Sequence, residues 1–497
     1  MSMFSNVTLR VSGSRSGLWV HRHSAILVRH RLEEFAVMRG IRSFNNLSKR
    51  GYAAARRSEP LTQHFDATRK PSPAPPTPPQ HVQVSKLPNG LVIMSLENYS
   101  PMSTVGVFVK AGSRYETVEN QGVSHVLRLA ANLTTKGGSA FKICRSVEAL
   151  GGSLNVTSSR EAMAYTTDCL RDHLDQIFEH LVNVTTAQEF RPWEVDDLTS
   201  RVNIDRALAQ QSPQIGLLEK LHEAAYKNAL SNSLYCPDYM IGRVSPEKLQ
   251  LFVEDHFTSS RMALVGLGVT HSVMRQLGEG LMSVRSGAGA PETTAVYRGG
   301  ELRMQNNDSL VHALVVSQGG VMAGAEANAF VVLQRILGAG PHVKRGANVT
   351  SKLSRGIAEA TTQPFDASTF NTSYSDSGLF GIYTISQAHA AGDVIRAAVA
   401  QIKGVAEGNV SAEDITRAKT QAKCEYLMSI ESSESLMEEM GAQALTTAAY
   451  QPPEAVLQAI DAITQEDVVK AAKKFVEGKK TMAASGHLIN TPFVDEL

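Results

Sequence analysis

The sequence contains an internal duplication. Residues 245–257 have the pattern of a helix that opens on Ser245 and leads into a strand of small residues at 261–266, and residues 464–486 repeat this pattern from Thr464. Ser and Thr are favoured N-cap residues, so each copy predicts a capped helix followed by a buried strand. The copies begin about 219 residues apart. A repeat of this length predicts two homologous α+β domains of roughly 200 residues each.

Apolar periodicity gives a similar order of elements in both halves. A hairpin is predicted around Leu87-Pro88-Asn89-Gly90, because Asn-Gly favours the positive φ angles of a tight turn. The other predicted elements are strands at 104–111, 154–157, 162–167, 311–317 and 377–385, and helices at 122–133, around 146–150, and at 172–182, 325–337 and 394–406. We expect domains at 81–285 and 301–497. The linker between them is predicted at 286–300, where Gly, Ala and Pro cluster.

The first 80 residues differ in composition from the rest of the chain. They carry 13 Lys and Arg against 4 Asp and Glu, whereas the remaining residues carry 36 against 44. Residues 35–58 lack acids and mix Arg, Ser and apolar residues, which is typical of a mitochondrial transit peptide. We therefore expect a leader at 1–52, with the usual start at Met38 and cleavage after Tyr52. A Pro-rich linker follows at 53–80. A disordered basic tail is the alternative interpretation.

Composition also excludes several classes of function. An acidic folded body is a poor candidate for nucleic-acid binding. No apolar run approaches the roughly 18 residues that cross a bilayer, so any membrane association is expected to be peripheral or through partners. The four cysteines form no C-x-x-C pair, which argues against a local zinc knuckle and suits a reducing compartment. They are Cys144, Cys169, Cys236 and Cys424.

One predicted helix carries an incomplete metal-binding motif. An inverted zincin site needs His-x-x-Glu-His, in which both histidines bind zinc and the Glu activates water. Here His125 holds the first position, but Arg128 stands in place of the Glu and Leu129 in place of the second His. A guanidinium neither ligates zinc nor accepts a proton from water. We therefore expect no metal at this helix and no catalysis.

Several motifs, taken in order, resemble the pitrilysin-type metalloproteases and the mitochondrial processing peptidases. They lie at residues 87–91, 111–116, 122–133, 374–381 and 417–421. The resemblance covers residues 81 to 497. Within this family the chain is most similar to the core subunits of ubiquinol–cytochrome c reductase, respiratory complex III, through residues 235–239, 338–346 and 492–497. The resemblance implies two domains, each a mixed β-sheet flanked by helices.

The family's third zinc ligand is a Glu on a helix some 70–80 residues beyond the motif. In this sequence the corresponding helix is predicted around 192–208, and its acids are Glu194, Asp196, Asp197 and Asp205. By pattern we align the ligand position with Thr199, which is not a ligand. The resemblance thus implies an inactive metalloprotease homologue with no metal and no cofactor. It also predicts that Arg128→Glu combined with Leu129→His creates no peptidase while Thr199 remains.

The resemblance implies a non-catalytic structural subunit of complex III, peripheral on the matrix side of the mitochondrial inner membrane. Its expected partners are core protein one, cytochrome b, cytochrome c1, the Rieske iron–sulfur protein and the small subunits of the complex. One alternative is the presequence-binding alpha-type subunit of the mitochondrial processing peptidase. That subunit's long glycine-rich loop should precede residue 346, where this chain offers Gly338-Ala339-Gly340. An active metalloprotease is the third possibility, and Arg128 and Leu129 argue against it.

Overall fold

The computed structural model describes residues 80–322, 324–340 and 351–497. The predicted leader at 1–52 and nearly all of the Pro-rich linker at 53–80 lie outside these ranges, as does most of the 338–346 motif. Each half of the described chain is built around one mixed sheet covered by helices. The α+β class and the two-domain duplication are confirmed. The domain limits at 81–285 and 301–497 stay a prediction.

The first sheet has six strands in the order β1-β2-β6-β3-β5-β4. The β2–β6 pair is parallel and the other neighbouring pairs are antiparallel. Their bounds are β1 Gln83–Lys86, β2 Val92–Leu96, β3 Met102–Val109, β4 Ser153–Ser158, β5 Met163–Leu170 and β6 Met262–Leu267. The predicted hairpin is confirmed as β1–β2, although in its Asn-Gly turn it is Gly90 that takes a positive φ, of 98°.

The second sheet repeats this arrangement without a counterpart of β1. Its order is β7-β11-β8-β10-β9, and its parallel pair, β7–β11, corresponds to β2–β6. The strands are β7 Gly300–Gln305, β8 Leu310–Gln318, β9 Phe365–Ser373, β10 Gly378–Gln387 and β11 Lys480–Gly486. In both sheets the last strand of the half lies inside the sheet, so each domain closes only when its final segment is in place.

The helices of the first half are α1 Val123–Ala130, α2 Ala140–Ala149, α3 Leu174–Thr186, α4 Pro192–Gln211, α5 Pro213–Ala225, α6 Pro246–His256 and α7 His271–Glu279. Those of the second half are α8 Ala325–Leu337, α9 Lys352–Ala360, α10 Ala391–Ala406, α11 Ala412–Glu431, α12 Ser433–Thr446, α13 Pro453–Asp461 and α14 Gln465–Glu477. Thr464 caps α14 through its side chain, as predicted. Ser245 holds the N-cap position of α6 without a side-chain cap bond. In the described ranges no helix is both long and apolar enough to span a membrane.

Two helices are exchanged between the halves. Helix α5 packs on β7, β8 and β11 of the second sheet, and α12 packs on β2, β3 and β6 of the first. Met437 and Met440 of α12 are fully buried against the first sheet, whereas Met428 of α11 is 64% exposed. Since each sheet needs a helix from the other half to cover one of its faces, the halves share their cores.

Candidate functional site

Helix α1, which carries the incomplete motif, is fixed at its N-terminus by a buried carboxylate. Glu116 accepts hydrogen bonds from the backbone N–H groups of Gly122 and Ser124, both at 2.8 Å, and from the Ser124 hydroxyl at 2.5 Å. These bonds satisfy N–H groups that a helix start leaves unpaired. Burial raises the pKa of Glu116 to about 7. The start of α1 is therefore held by one side chain of the 111–116 motif.

The histidine of the motif faces an acid on α4. His125 is 1% exposed, and its Nε2 lies 2.7 Å from Oδ2 of Asp205. Arg128, one turn further along α1, donates to the same Oδ2 atom. The hydrogen bond from His125 and the charge of Arg128 hold the pKa of Asp205 below its usual value, against the opposing effect of burial. The place where a catalytic Glu would stand is thus occupied by a cation that neutralises Asp205.

The other nitrogen of the His125 ring is also engaged. The backbone N–H of Cys236 donates to Nδ1 over 3.1 Å. The ring of Tyr235 meets the imidazole edge-on, with ring centroids 5.5 Å apart. The thiol of Cys236 does not contribute to this bond; it donates to the carbonyl of Pro237 at 3.7 Å, and burial raises its pKa to about 11. Cys236, His125 and Asp205 therefore do not form a nucleophilic triad.

The contacts revise one position that the sequence alignment gives. The sequence pattern aligns the third ligand with Thr199, but the side chain that α4 brings to His125 is Asp205. Thr199 lies six residues earlier on the helix, which is about 9 Å along its axis. Asp205 is 80 residues beyond His125, within the spacing that the family pattern suggests. Leu129, in place of the second His, packs against the core of the first half.

We call His125, Arg128, Leu129 and Asp205 the degenerate site. Its donor set does not suit zinc, because a guanidinium holds the carboxylate and a leucine replaces one imidazole. Within residues 80–322, 324–340 and 351–497, no group of three or more His, Cys, Asp or Glu lies close enough together to hold a metal ion. What the arrangement can do is bind α1 to α4 through charge-assisted hydrogen bonds.

A second polar cluster joins the two halves of the chain, and sequence reasoning did not find it. Arg114 is 5% exposed and donates to Glu161 at 2.6 Å and to Oδ1 of Asp376 at 2.8 Å. It also donates to Oδ2 of Asp376 and to the carbonyl of Thr293. Glu161 in turn accepts a 2.6 Å hydrogen bond from the Ser375 hydroxyl. We call Arg114, Glu161, Ser375 and Asp376 the Arg114 cluster.

In the Arg114 cluster one buried guanidinium pairs with two carboxylates. Burial lowers the pKa of Arg114, but the bonds and charges of Asp376 and Glu161 outweigh it, and the net shift is upward. Burial raises the pKa of Asp376, yet Arg114 and the backbone N–H of Ala295 hold it below its usual value. Two motifs that carried the resemblance, at 111–116 and 374–381, thus meet in one ion-pair cluster. The presence of both motifs in one sequence was the signal from which this contact could have been predicted.

The exchanged helix α5 adds a further connection beside this cluster. Nε2 of His222 lies 2.7 Å from the hydroxyl of Tyr374, and Nδ1 lies 2.7 Å from the carbonyl of Leu218. Since a carbonyl only accepts, the ring proton is on Nδ1 and the Tyr374 hydroxyl donates to Nε2. Burial lowers the pKa of His222 well below its usual value. This histidine is therefore a neutral structural link between the halves.

Comparison with known protein families covers both halves. The insulinase model of peptidase family M16 matches residues 91–238, and the model described as the peptidase M16 inactive domain matches residues 243–422. Together they span about two thirds of the chain.

Curated relatives are similar over most of their length. The human cytochrome b-c1 complex subunit 2, mitochondrial, is 60% identical over 431 residues, which is 87% of this chain and 95% of that protein. The rat protein of the same description is 58% identical over 85% of this chain and 93% of its own. The probable mitochondrial-processing peptidase subunit alpha-2 of Arabidopsis thaliana is 31% identical, over 85% of this chain and 87% of its own.

Proposed function

Because the chain belongs to the insulinase-type peptidase family M16, and because its degenerate site is closed by its own side chains, we propose that it is a non-catalytic structural subunit of the mitochondrial cytochrome b-c1 complex. In this role it supports the assembly and stability of respiratory complex III, which transfers electrons from ubiquinol to cytochrome c. The observation that carries the proposal is the Arg128–Asp205 ion pair, which stands where a metalloprotease needs a base and a free ligand.

The difference in similarity between relatives favours this role over presequence processing. Relatives described as subunits of the b-c1 complex are about 60% identical to the chain, whereas a relative described as a processing-peptidase alpha subunit is 31% identical. Both kinds of relative share the fold, so the fold alone does not separate the two functions. The degree of sequence identity over nearly the whole length separates the two functions.

The partners and the location follow as parts of the proposal. The chain pairs with core protein one and contacts cytochrome b, cytochrome c1, the Rieske protein and the small subunits of the complex. It lies peripherally on the matrix side of the inner membrane. The exchanged helices favour one rigid body that binds its partners through its surface.

Native purification tests the proposal. The full chain carrying an affinity tag is expressed in mitochondria, the inner membrane is solubilised in mild detergent, and the captured material is analysed by haem spectroscopy. We expect cytochromes b and c1 to be recovered together with the chain. Recovery as a soluble matrix heterodimer that cleaves presequence peptides would overturn the proposal and favour the alpha-type processing subunit.

A matched pair of variants sharpens this experiment. Arg114→Met disrupts the contact between the halves and should lower the yield of haem-containing complex. Glu223→Gln removes one partner of an exposed ion pair with Lys220 and should leave the yield unchanged. Equal recovery of haem with both variants would contradict a role that depends on the rigid two-half body.

A further inference from the structure

The 235–239 segment, Tyr-Cys-Pro-Asp-Tyr, closes over the degenerate site. Asp238 pairs with Arg206 of α4, and the Tyr239 hydroxyl donates to Gln121 just before α1. Gly122 has a φ of 83°, and a Cβ there would lie 2.6 Å from the Cys236 sulfur. Glycine at this position therefore allows the segment to approach the start of α1 closely. The segment is attached to both helices that form the degenerate site.

The contacts of the segment fix the tautomer of His125. A backbone N–H can only donate, so Nδ1 of His125 must be unprotonated where it accepts from Cys236. The ring proton is then on Nε2, where it is donated to Oδ2 of Asp205 at 2.7 Å. Both ring nitrogens thus have a hydrogen-bond partner, a donor for Nδ1 and an acceptor for Nε2. The imidazole therefore needs no metal ion to complete its bonding.

A zinc-binding histidine needs the opposite arrangement. The nitrogen that binds the metal must be free of its proton, and the other ring N–H normally donates to a carbonyl or carboxylate. In this chain Nε2, the nitrogen that faces Asp205, carries the proton. Moving the proton to Nδ1 would bring two donors together, the imidazole N–H and the Cys236 N–H. Binding through Nδ1 is blocked by the same backbone group.

We propose that the 235–239 segment locks His125 in the tautomer that carries its proton on Nε2, so that the surviving ligand position cannot bind a metal. His125 then acts as a positioning residue that holds α1, α4 and the segment together. This block is separate from Arg128, because it depends on a backbone N–H and on ring geometry. It is also independent of the proposed function, since it holds for the folded chain inside or outside a larger complex.

Nitrogen NMR of the full-length chain tests the lock directly. The protein is labelled with ¹⁵N-histidine, and long-range proton–nitrogen correlations distinguish the two neutral tautomers. The signals of His125 are identified by their loss in a His125→Gln variant. We expect Nδ1 to be unprotonated and Nε2 to be protonated. A protonated Nδ1 would overturn the proposal without reference to any variant's stability.

Zinc binding by designed variants gives a second test. In Arg128→Glu/Leu129→His, Asp205 can supply the carboxylate, so Thr199 is not the obstacle that the sequence suggested. We expect this double variant to lose its zinc to a chelator of micromolar affinity, because His125 is still in the wrong tautomer. Retention of stoichiometric zinc, measured by atomic absorption, would overturn the proposal.

A third substitution distinguishes two reasons for weak zinc binding, the fixed tautomer of His125 and a shortage of ligands. Asp238 is largely exposed, and Asp238→Asn weakens the attachment of the segment to Arg206 without altering the metal-facing groups. Added to the double variant, it should tighten zinc binding by about tenfold, the scale on which outer-sphere contacts affect metal affinity. Equal zinc affinity with and without Asp238→Asn would count against the lock.

Discussion

The Asp376→Asn substitution tests whether the Arg114 cluster holds the two halves together. The Asp376 carboxylate accepts hydrogen bonds from both terminal nitrogens of Arg114 and from the backbone N–H of Ala295. An asparagine keeps the shape but has one accepting oxygen and a donating NH₂ group. At least one of the three donors would therefore face another donor. The charge that balances the buried guanidinium from the second half would also be lost.

The expected cost follows from these contacts. A hydrogen bond between charged groups contributes about 1.5–3 kcal/mol to stability. The larger loss of about 3–5 kcal/mol, typical of an unpaired buried charge, is not expected because Glu161 still pairs with Arg114. We therefore expect the free energy of unfolding to fall by about 2–3 kcal/mol. For a folded body of about 400 residues this lowers the melting temperature by about 2–4 °C.

Urea and thermal unfolding, followed by circular dichroism, measure the effect. Glu223→Gln, in an exposed ion pair, is the matched control and should cost less than about 1 kcal/mol. A double-mutant cycle with Arg114→Met should show coupling of about 1–3 kcal/mol between Arg114 and Asp376. The reasoning would be refuted if Asp376→Asn were as mild as the control, or if the cycle showed no coupling.

Three further predictions concern other parts of the fold. Because burial raises the pKa of Glu116 to about 7, the folded chain keeps a proton that the unfolded chain releases near pH 4.5. Stability should therefore fall by up to about 3 kcal/mol as the pH rises from 4.5 through 7, and Glu116→Gln should flatten the melting temperature measured against pH. Gly441→Ala places a Cβ against the ring of Phe108 and should destabilise by about 1–3 kcal/mol; Phe108→Leu in the same chain should recover part of this in urea unfolding. Arg303 donates to three carbonyls within residues 488–492, so Arg303→Lys should speed the removal of the C-terminal residues by carboxypeptidase while hardly changing the melting temperature.

Local elements were predictable because their signals are local. The Asn-Gly hairpin, the strands around 104–111 and 162–167, and the helix at 325–337 each follow from apolar spacing over a few residues. The duplication was predictable for a similar reason, since the echoed ends of the halves both form a helix that leads into an interior strand.

What remained hidden depends on contacts between distant parts of the chain. Helices α5 and α12 are apolar on the faces that they bury, but periodicity does not say which sheet a helix covers. Arg114 and Asp376 are 262 residues apart, and an ion pair at such a separation leaves no local pattern. Asp205 is one of the four acids that the sequence offers on its helix. The sequence pattern nevertheless places the third ligand position six residues earlier, at Thr199, because a 20-residue helix has few internal features that fix its alignment.

The degenerate site and the Arg114 cluster have the same physical character, and this bears on what the chain can do. A catalytic site must leave polar groups free to bind a metal, water or substrate. Such unpaired groups lower the stability of the folded chain until they are bound. Here the buried polar atoms of both clusters are bound by other parts of the same chain, and a fully satisfied polar network makes a protein interior rigid and specific. Each half also lends a helix to the other half's sheet. A chain built in this way presents a fixed surface to its neighbours, which is what a structural subunit requires.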